Sequence, residues 1–216
     1  YILISHDDFY YCPGWDLEFA SEINKIKHNK FYLSGTMVGA GQVYFDAGET
    51  YETFKENKLL ENLEKIKTFD FQGSTKCPGL VHKEIWDKLG GWSEEFSPTG
   101  GDDSDFAMKL WKNKVRIFKG LGGSLAYHFG SITTRKKDKS LFTYLGSRGN
   151  KIFLIKWGFT INFFEKFYLR SGLDNSKKLI FRKYLGSLND PEKNIYYYFE
   201  LIKSKILLVY LLLLRR

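Results

Sequence analysis

The sequence predicts an α/β fold in which short apolar strands alternate with amphipathic helices. The chain opens on the apolar run YILIS, and apolar residues recur at helical spacing in residues 16–26 and 102–113. Pro-Gly and Gly-Gly pairs separate these segments and mark turns. Hydrophobic residues make up 43% of the chain, which is enough for a sizeable core. This alternation of elements is typical of an α/β sandwich.

Strands and helices alternate in the first 67 residues. The helix at 16–26 follows a Pro-Gly turn and places Phe19, Ile23 and Ile26 on one face. In the later charged segment, apolar residues are spaced for a helix and the charges fit a solvated face. The predicted order is the opening strand, the helix at 16–26, strands at 31–38 and 42–45, and a helix at 49–67.

The next 70 residues continue this pattern. Gly90-Gly91 is a helix stop, and the helix that follows has Phe106 and Leu110 on its apolar side. The predicted order is a strand-like start in FDFQG, a Pro-Gly turn, helices at 82–89 and 102–113, strands at 115–118 and 124–128, and a basic loop at 133–139.

Composition divides the chain into an α/β part at 1–143 and a basic, aromatic-rich helical extension at 144–216. Residues 1–134 carry 15 Lys and Arg against 19 Asp and Glu, whereas residues 135–216 carry 18 against 6. A basic tail can meet nucleic acid, an anionic membrane or an acidic partner. Because its cations alternate with Phe, Tyr and Leu, we expect peripheral membrane contact and no nucleic acid. The alternative is that its aromatics are core and its lysines plain surface.

The sequence favours a cytoplasmic protein that can contact the membrane face peripherally. Cys12 and Cys77 each stand beside Pro-Gly and not in a CxxC or Cys/His cluster, which indicates thiols in a reducing compartment. The start lacks the features of a signal peptide. The longest apolar run, ILLVYLLLL, has nine residues, whereas a membrane-spanning helix needs roughly 20. Secretion and a transmembrane anchor are therefore disfavoured.

Two acidic groups are candidates for chemistry. Asp7 and Asp8 follow the opening strand and offer hard oxygen ligands to a divalent cation, although Asp also favours plain turns. Asp102, Asp103 and Asp105 start a helix, where the macrodipole stabilises negative charge. Helix capping alone would explain some of these acids, but an ionised carboxylate there also suits a general base that deprotonates a hydroxyl. The pattern does not match an EF-hand, which excludes calcium storage.

His128 is the third candidate, because it stands at the end of a predicted strand just before the basic loop. A lone His is more often structural than a ligand. Beside two carboxylate groups, however, a neutral imidazole becomes a plausible further ligand, and a mixed oxygen and nitrogen set favours Mn²⁺ more than an all-oxygen set does.

In their order and spacing these motifs resemble the family 2 glycosyltransferases with the GT-A fold, over residues 1–158. His6 stands where many members carry an acid or Asn, and Asp102 replaces the more usual Glu. The motifs that carry the resemblance are His6-Asp7-Asp8 with Pro13-Gly14-Trp15, then Gly91-Trp92, Glu95-Phe96, Asp102-Asp103 and Asp105-Phe106, then His128 to Thr133, and Lys156-Trp157-Gly158.

The resemblance implies a role for each donor-side residue. It implies a GT-A fold, which is a Rossmann-like sandwich. In this fold Asp8 would ligate the Mn²⁺ or Mg²⁺ ion that bridges the two phosphates of a nucleotide-diphosphate sugar. Asp7 would lie beside the ribose or the sugar. His128 would be a further contact to the metal or the diphosphate.

The acceptor side is assigned from the same resemblance. Asp103 would be the base that activates the acceptor hydroxyl for inverting transfer, with Asp102 beside it as a second catalytic carboxylate. Asp102 and Asp105 are the alternatives for the role of base. Trp92 would form part of the acceptor wall, and Asp105 is placed with it on the acceptor side.

The function expected is transfer of a hexose-like sugar to a glycan, lipid-linked or protein-linked acceptor in glycan or polysaccharide synthesis. The alternatives are a metal-dependent hydrolase of phosphodiester or glycosidic bonds and a non-catalytic basic module for membranes or nucleic acid. Enzymes of this type carry their first βαβ units before the DxD-like strand. We therefore expect about 80 to 100 residues ahead of Tyr1, and weak or no activity from these 216 residues alone.

Overall fold

The computed structural model describes residues 1–39, 41–97, 100–130, 148–171 and 182–213, and its fold is mixed α/β. The described strands form one curled, mixed sheet. They are β1 (Ile2–Ile4), β2 (Phe9–Tyr11), β3 (Phe31–Gly39), β4 (Phe71–Gln72), β5 (Gly79–Val81) and β6 (Ile117–His128).

Helices flank this sheet in the α/β part and continue in the extension. Short 3₁₀ turns lie at Tyr51–Thr53 and Glu94–Phe96. The described helices are α1 (Trp15–Lys25), α2 (Glu56–Leu60), α3 (Leu63–Ile66), α4 (Lys83–Leu89), α5 (Asp102–Lys112), α6 (Arg148–Trp157), α7 (Ile161–Phe164), which continues as a π-helical turn at Glu165–Leu169, and α8 (Ile195–Leu213). None of these described helices is both long and apolar enough to cross a membrane.

The sheet order is β1-β5-β3-β6, with β2 and β4 on different parts of the far edge of β6. β3 and β6 are parallel, and β5 is antiparallel to both β1 and β3. The strands β1, β3 and β6 therefore run in one direction. Their carboxyl ends meet at one edge of the sheet, where polar residues from separate parts of the chain come together.

Four predicted elements differ from the structure. The strand at 42–45 is wrong, because that stretch makes only an isolated bridge from Val43 to Val38. The single helix at 49–67 is also wrong. At Phe54 the backbone is extended, and its ring packs against Tyr10, Tyr127 and Phe129, so the segment breaks into short helical pieces.

The two strands predicted at 115–118 and 124–128 form one strand, β6. The glycines between the two predicted strands lie within β6 and allow close packing. A Cβ at Gly122 would lie 2.0 Å from the Thr68 carbonyl oxygen, and one at Gly120 would lie 2.2 Å from the Phe71 ring. The basic loop predicted at 133–139 lies outside the described residues.

The sheet separates two packed layers. On one side α1 contributes Phe19, which packs with Phe31 and Leu33 of β3. On the other side lie α4, α5 and the helices of the extension, in one continuous core. This core includes Tyr32, Phe106, Phe118, Phe153, Phe164, Leu169 and Tyr197. The described helices beyond residue 144 therefore pack on the α/β part, and the division at 143 stays a prediction.

A buried cation joins α1 to the sheet. The ammonium group of Lys119 on β6 lies 2.8 Å from the Glu22 carboxylate and 2.9 Å from that of Asp70. Burial lowers the pKa of Lys119, but its hydrogen bonds to Glu22 and Asp70 and the negative charges of these two carboxylates together outweigh burial, so the pKa is raised. Lys119 therefore stays charged and holds α1 against β6.

We predict that Lys119→Met lowers the free energy of unfolding by about 3 kcal/mol, because it removes the buried cation between Glu22 and Asp70 and leaves the buried Glu22 carboxylate with the exposed Lys25 as its cationic partner. Chemical denaturation measures this change. Lys67→Met, which removes an exposed pair with Glu64, is the control and should leave stability unchanged. Equal stability of the two variants would contradict a structural role for Lys119.

Candidate functional site

A carboxylate and an imidazole meet at the carboxyl edge of the sheet. The turn after β1 carries Asp8, and β2 then pairs with β6 so that Phe9 lies opposite His128. The Nε2 atom of His128 lies 3.1 Å from Oδ2 of Asp8, with side chains 11% and 22% exposed. The backbone N–H of Phe129 also donates to the Asp8 carbonyl oxygen at 3.2 Å. Asp8 and His128 thus form one partly open pair.

His6 connects this pair to the acidic end of α5. Its ring centroid lies 6.5 Å from that of His128 and 5.4 Å from that of Phe9. Burial and the neighbouring charge of Asp103 raise the pKa of Asp102, and the charge of His6 acts in the opposite direction. His6 thus has a ring contact with His128 and an electrostatic effect on Asp102. Asp7, in the same turn, is exposed.

The α5 helix begins at this place because of the glycine pair before it. Gly100 and Gly101 both have positive φ angles, 67° and 91°. A Cβ at Gly101 would lie 3.2 Å from the Gly149 carbonyl and from the Phe96 ring. Only glycine fits this turn without strain. The turn delivers three acids, Asp102, Asp103 and Asp105, to the first turn of the helix.

Asp103 has a cationic neighbour that sequence reasoning missed. The Lys76 ammonium lies 3.5 Å from Oδ2 of Asp103. The charge of Asp103 raises the pKa of Lys76 more than burial lowers it, so Lys76 keeps its proton. Burial raises the pKa of Glu165, while the charge of Lys76 opposes this rise. Lys76, Asp103 and Glu165 thus form one coupled group.

The two residues that sequence reasoning missed differ in how visible they are in the sequence. Lys76 is a single cation in a turn before Cys77, and no spacing pattern distinguishes it from other surface lysines. Glu165, in contrast, is the only acid in the aromatic-rich segment at 148–171. A lone acid among aromatics is a signal that could have singled it out.

The charges of Asp102 and Asp103 also act on two buried groups, Cys77 and Tyr32. Burial and the charges of Asp103 and Asp102 raise the pKa of the Cys77 thiol. Burial also raises the pKa of Tyr32 well above its usual value, and its hydroxyl donates to the Thr75 carbonyl oxygen at 3.1 Å. Cys77 and Cys12 are both buried free thiols. At neutral pH Cys77 and Tyr32 are therefore uncharged, whereas Cys12 belongs to a separate hydrophobic cluster with Val38 and Tyr127.

Asp105 differs from its two neighbours because its side chain is fully buried. Its carboxylate accepts hydrogen bonds from the Ser93 hydroxyl at 2.6 Å and from Nε1 of Trp157 at 2.8 Å. The Lys156 ammonium lies 2.9 Å away and also contacts Glu95 at 2.7 Å. Asp105 thus joins α5 to α6. Its predicted contact with an acceptor stays a prediction, but the geometry fits a positioning role.

Trp92 lies near the same region of the fold. It follows Gly91, whose φ is 59°, and its side chain is half-buried against the main core. One part of the indole is therefore available to solvent. Its role as an acceptor wall stays a prediction.

Asp8 and His128 are the residues that fit a divalent metal. The described residues contain no group of three His, Cys, Asp or Glu side chains arranged to hold an ion. Mg²⁺ is commonly bound through one or two protein carboxylates together with substrate phosphates, and an added imidazole suits Mn²⁺. Two adjacent protein donors therefore fit a metal that is shared with a phosphate-bearing ligand.

Comparisons with known proteins give no family for this chain. No protein-family model matches it, and no curated protein is significantly similar to it.

We predict that Asp105→Asn lowers the free energy of unfolding by about 2–3 kcal/mol. The change removes the negative charge that pairs with the Lys156 ammonium and accepts two hydrogen bonds. Thermal and chemical denaturation measure this loss. Asp87→Asn, which alters an exposed carboxylate paired with Lys83, is the matched control and should not change stability. Unchanged stability of Asp105→Asn would contradict the positioning role and favour direct contact with a ligand.

Proposed function

We propose that this chain carries the catalytic part of a glycosyltransferase with a GT-A fold of the family 2 type. It moves a sugar from a nucleotide-diphosphate sugar to an acceptor hydroxyl, with inversion and with the help of Mn²⁺ or Mg²⁺. One observation carries the proposal: Asp8 and His128 form a pair at the carboxyl edge of the sheet, and His6, whose ring lies 6.5 Å from that of His128, acts electrostatically on Asp102 in the acidic first turn of α5.

The negative charge of the site indicates how it would bind the donor. A nucleotide-diphosphate sugar carries two negative phosphates, whereas Asp7, Asp8, Asp102 and Asp103 make this edge acidic. Such a site needs a cation to hold a diphosphate. Asp8 and His128 are the residues that would hold it, and a bound divalent ion stabilises the charge that develops on the departing diphosphate. We assign Asp7, exposed in the same turn, to the ribose or the sugar.

The acceptor side uses the carboxylates of α5. Asp103 accepts the proton of the acceptor hydroxyl, whose oxygen attacks the anomeric carbon while the bond to the diphosphate breaks. A single displacement of this kind inverts the configuration. Asp102 stands beside the base, and Lys76 partly neutralises this doubly acidic end of the helix. The half-buried face of Trp92 suits stacking on an acceptor sugar.

Asp105 supports this arrangement from inside the protein. Its buried contacts with Ser93, Lys156 and Trp157 fix the direction in which the first turn of α5 presents Asp103. Correct placement of a general base within hydrogen-bond reach of the acceptor is the first requirement for proton transfer. The acceptors we propose are glycan, lipid-linked or protein-linked hydroxyls in glycan or polysaccharide synthesis.

We predict that Asp103→Asn lowers acceptor-dependent turnover by about 10²–10⁴-fold, because the amide cannot accept the proton. The assay uses the full-length protein encoded by the reading frame that contains these residues. It measures release of nucleoside diphosphate from a panel of nucleotide sugars, with Mn²⁺ and with or without acceptor glycans. Metal-dependent binding of nucleoside diphosphate should persist in the variant.

Asp16→Asn, an exposed acid of α1, is the matched control and should keep wild-type turnover. Wild-type turnover by Asp103→Asn would contradict its role as base. Donor breakdown at the same rate with and without acceptor would instead indicate a hydrolase that uses water in place of the acceptor.

A further inference from the structure

The helix α8 exposes an unusual amount of apolar surface along one side. Its residues Ile195, Phe199, Ile202, Ile206, Val209 and Leu213 have exposed fractions between 55% and 90%. With about 100° of rotation per residue, the six side chains lie within an arc of about 80°. We call these six residues the outer face of α8. A continuous apolar stripe of this kind on a protein surface marks an interaction site.

The opposite side of α8 anchors the helix to the rest of the protein. Tyr197, Ser204 and Leu211 are buried there. The Tyr197 ring packs 5.0 Å from that of Phe163 and 5.1 Å from that of Phe167. The outer face is therefore a second apolar stripe on a helix whose inner stripe already packs in the core. Because the inner side packs in the core, the outer face is the apolar side of α8 that stays open to a partner within the described residues.

Cations border the outer face on both sides. Lys203 and Lys205 lie about 80° to either side of the centre of the stripe at 100° per residue. The Lys203 ammonium lies 4.2 Å from the centroid of the Phe199 ring, and it pairs with Glu200 at 2.8 Å. Lys166 of the preceding helical turn lies 4.3 Å from the Tyr196 ring centroid. The apolar stems of such lysines can cover the stripe while their charges reach outward.

Tyrosines complete the border of the stripe. Tyr196, Tyr198 and Tyr210 are each about half exposed. A tyrosine with an apolar ring and a polar hydroxyl is favoured where apolar and aqueous phases meet. The arrangement is thus apolar in the centre, aromatic and cationic at the edges, and packed on the protein behind.

We propose that the outer face of α8 lies on the surface of an anionic lipid bilayer, with the helix axis in the plane of the membrane. Apolar side chains enter the headgroup boundary, and the bordering lysines contact acidic headgroups. The positive charge of the bordering lysines favours an anionic lipid surface over a second copy of the chain as the partner. Two outer faces packed together would add the Lys205 charges of both copies to a border where Glu200 pairs with Lys203, whereas anionic headgroups complement both lysines. The inference does not depend on the proposed activity.

The test is flotation of the full-length protein with vesicles of phosphatidylcholine alone or with added phosphatidylglycerol. We expect binding to the anionic vesicles that weakens as salt is raised. The double variant Ile202→Ser with Ile206→Ser should lower the bound fraction at least about tenfold, because it removes apolar groups from the stripe. Leu17→Ser, an exposed leucine of α1, is the matched control and should bind like the wild type.

A second variant separates charge from apolar burial. Lys203→Gln with Lys205→Gln should weaken binding to anionic vesicles and leave any residual binding to neutral vesicles unchanged. Circular dichroism verifies that each variant is folded. Wild-type binding by the Ile202 and Ile206 variant, or equal binding to neutral and anionic vesicles, would overturn the proposal. A wild-type dimer that this variant converts to a monomer, without vesicle binding, would show that a second copy covers the face.

Discussion

The buried carboxylate of Asp105 is the interaction on which the geometry of the candidate site depends. Three acids share the first turn of α5, and only this one points into the protein, where Ser93, Lys156 and Trp157 surround it. A buried carboxylate without partners would cost several kcal/mol, so these contacts select one direction for the turn. That direction leaves Asp103 beside Lys76 and Asp102 within reach of the charge of His6. The buried carboxylate of Asp105 thus orients Asp102 and Asp103, which are partly exposed.

The sheet provides the second constraint. β1, β3 and β6 run in one direction, so the turn after β1 and the end of β6 meet at one edge. The register of β2 against β6 then sets Phe9 opposite His128, and Asp8 reaches the imidazole. Because a slip of one residue turns side chains to the other face, this register is tied to the packing of the strands. The same packed body carries α8 on the surface formed by the extension, so the proposed membrane contact and the site belong to one scaffold.

Local pattern was sufficient to predict part of this arrangement. Asp8 and His128 follow strand ends and Asp103 starts a helix, and these positions could be recognised from a few neighbouring residues. Lys76 could not be predicted, and Glu165 could be singled out only as a lone acid among aromatics, because the effect of both residues on Asp103 arises from packing between segments far apart in the chain. Nor can spacing decide which acid of α5 is buried. The sequence likewise showed a basic, aromatic extension without revealing which face of α8 is left exposed.

The most direct test of the proposed site is anomalous diffraction from crystals of the full-length protein grown with Mn²⁺ and a nucleoside diphosphate. We predict a manganese peak within coordination distance of the Asp8 carboxylate and Nε2 of His128, in contact with the diphosphate oxygens. A diphosphate bound at this edge without manganese, or manganese bound elsewhere on the protein, would contradict the assignment.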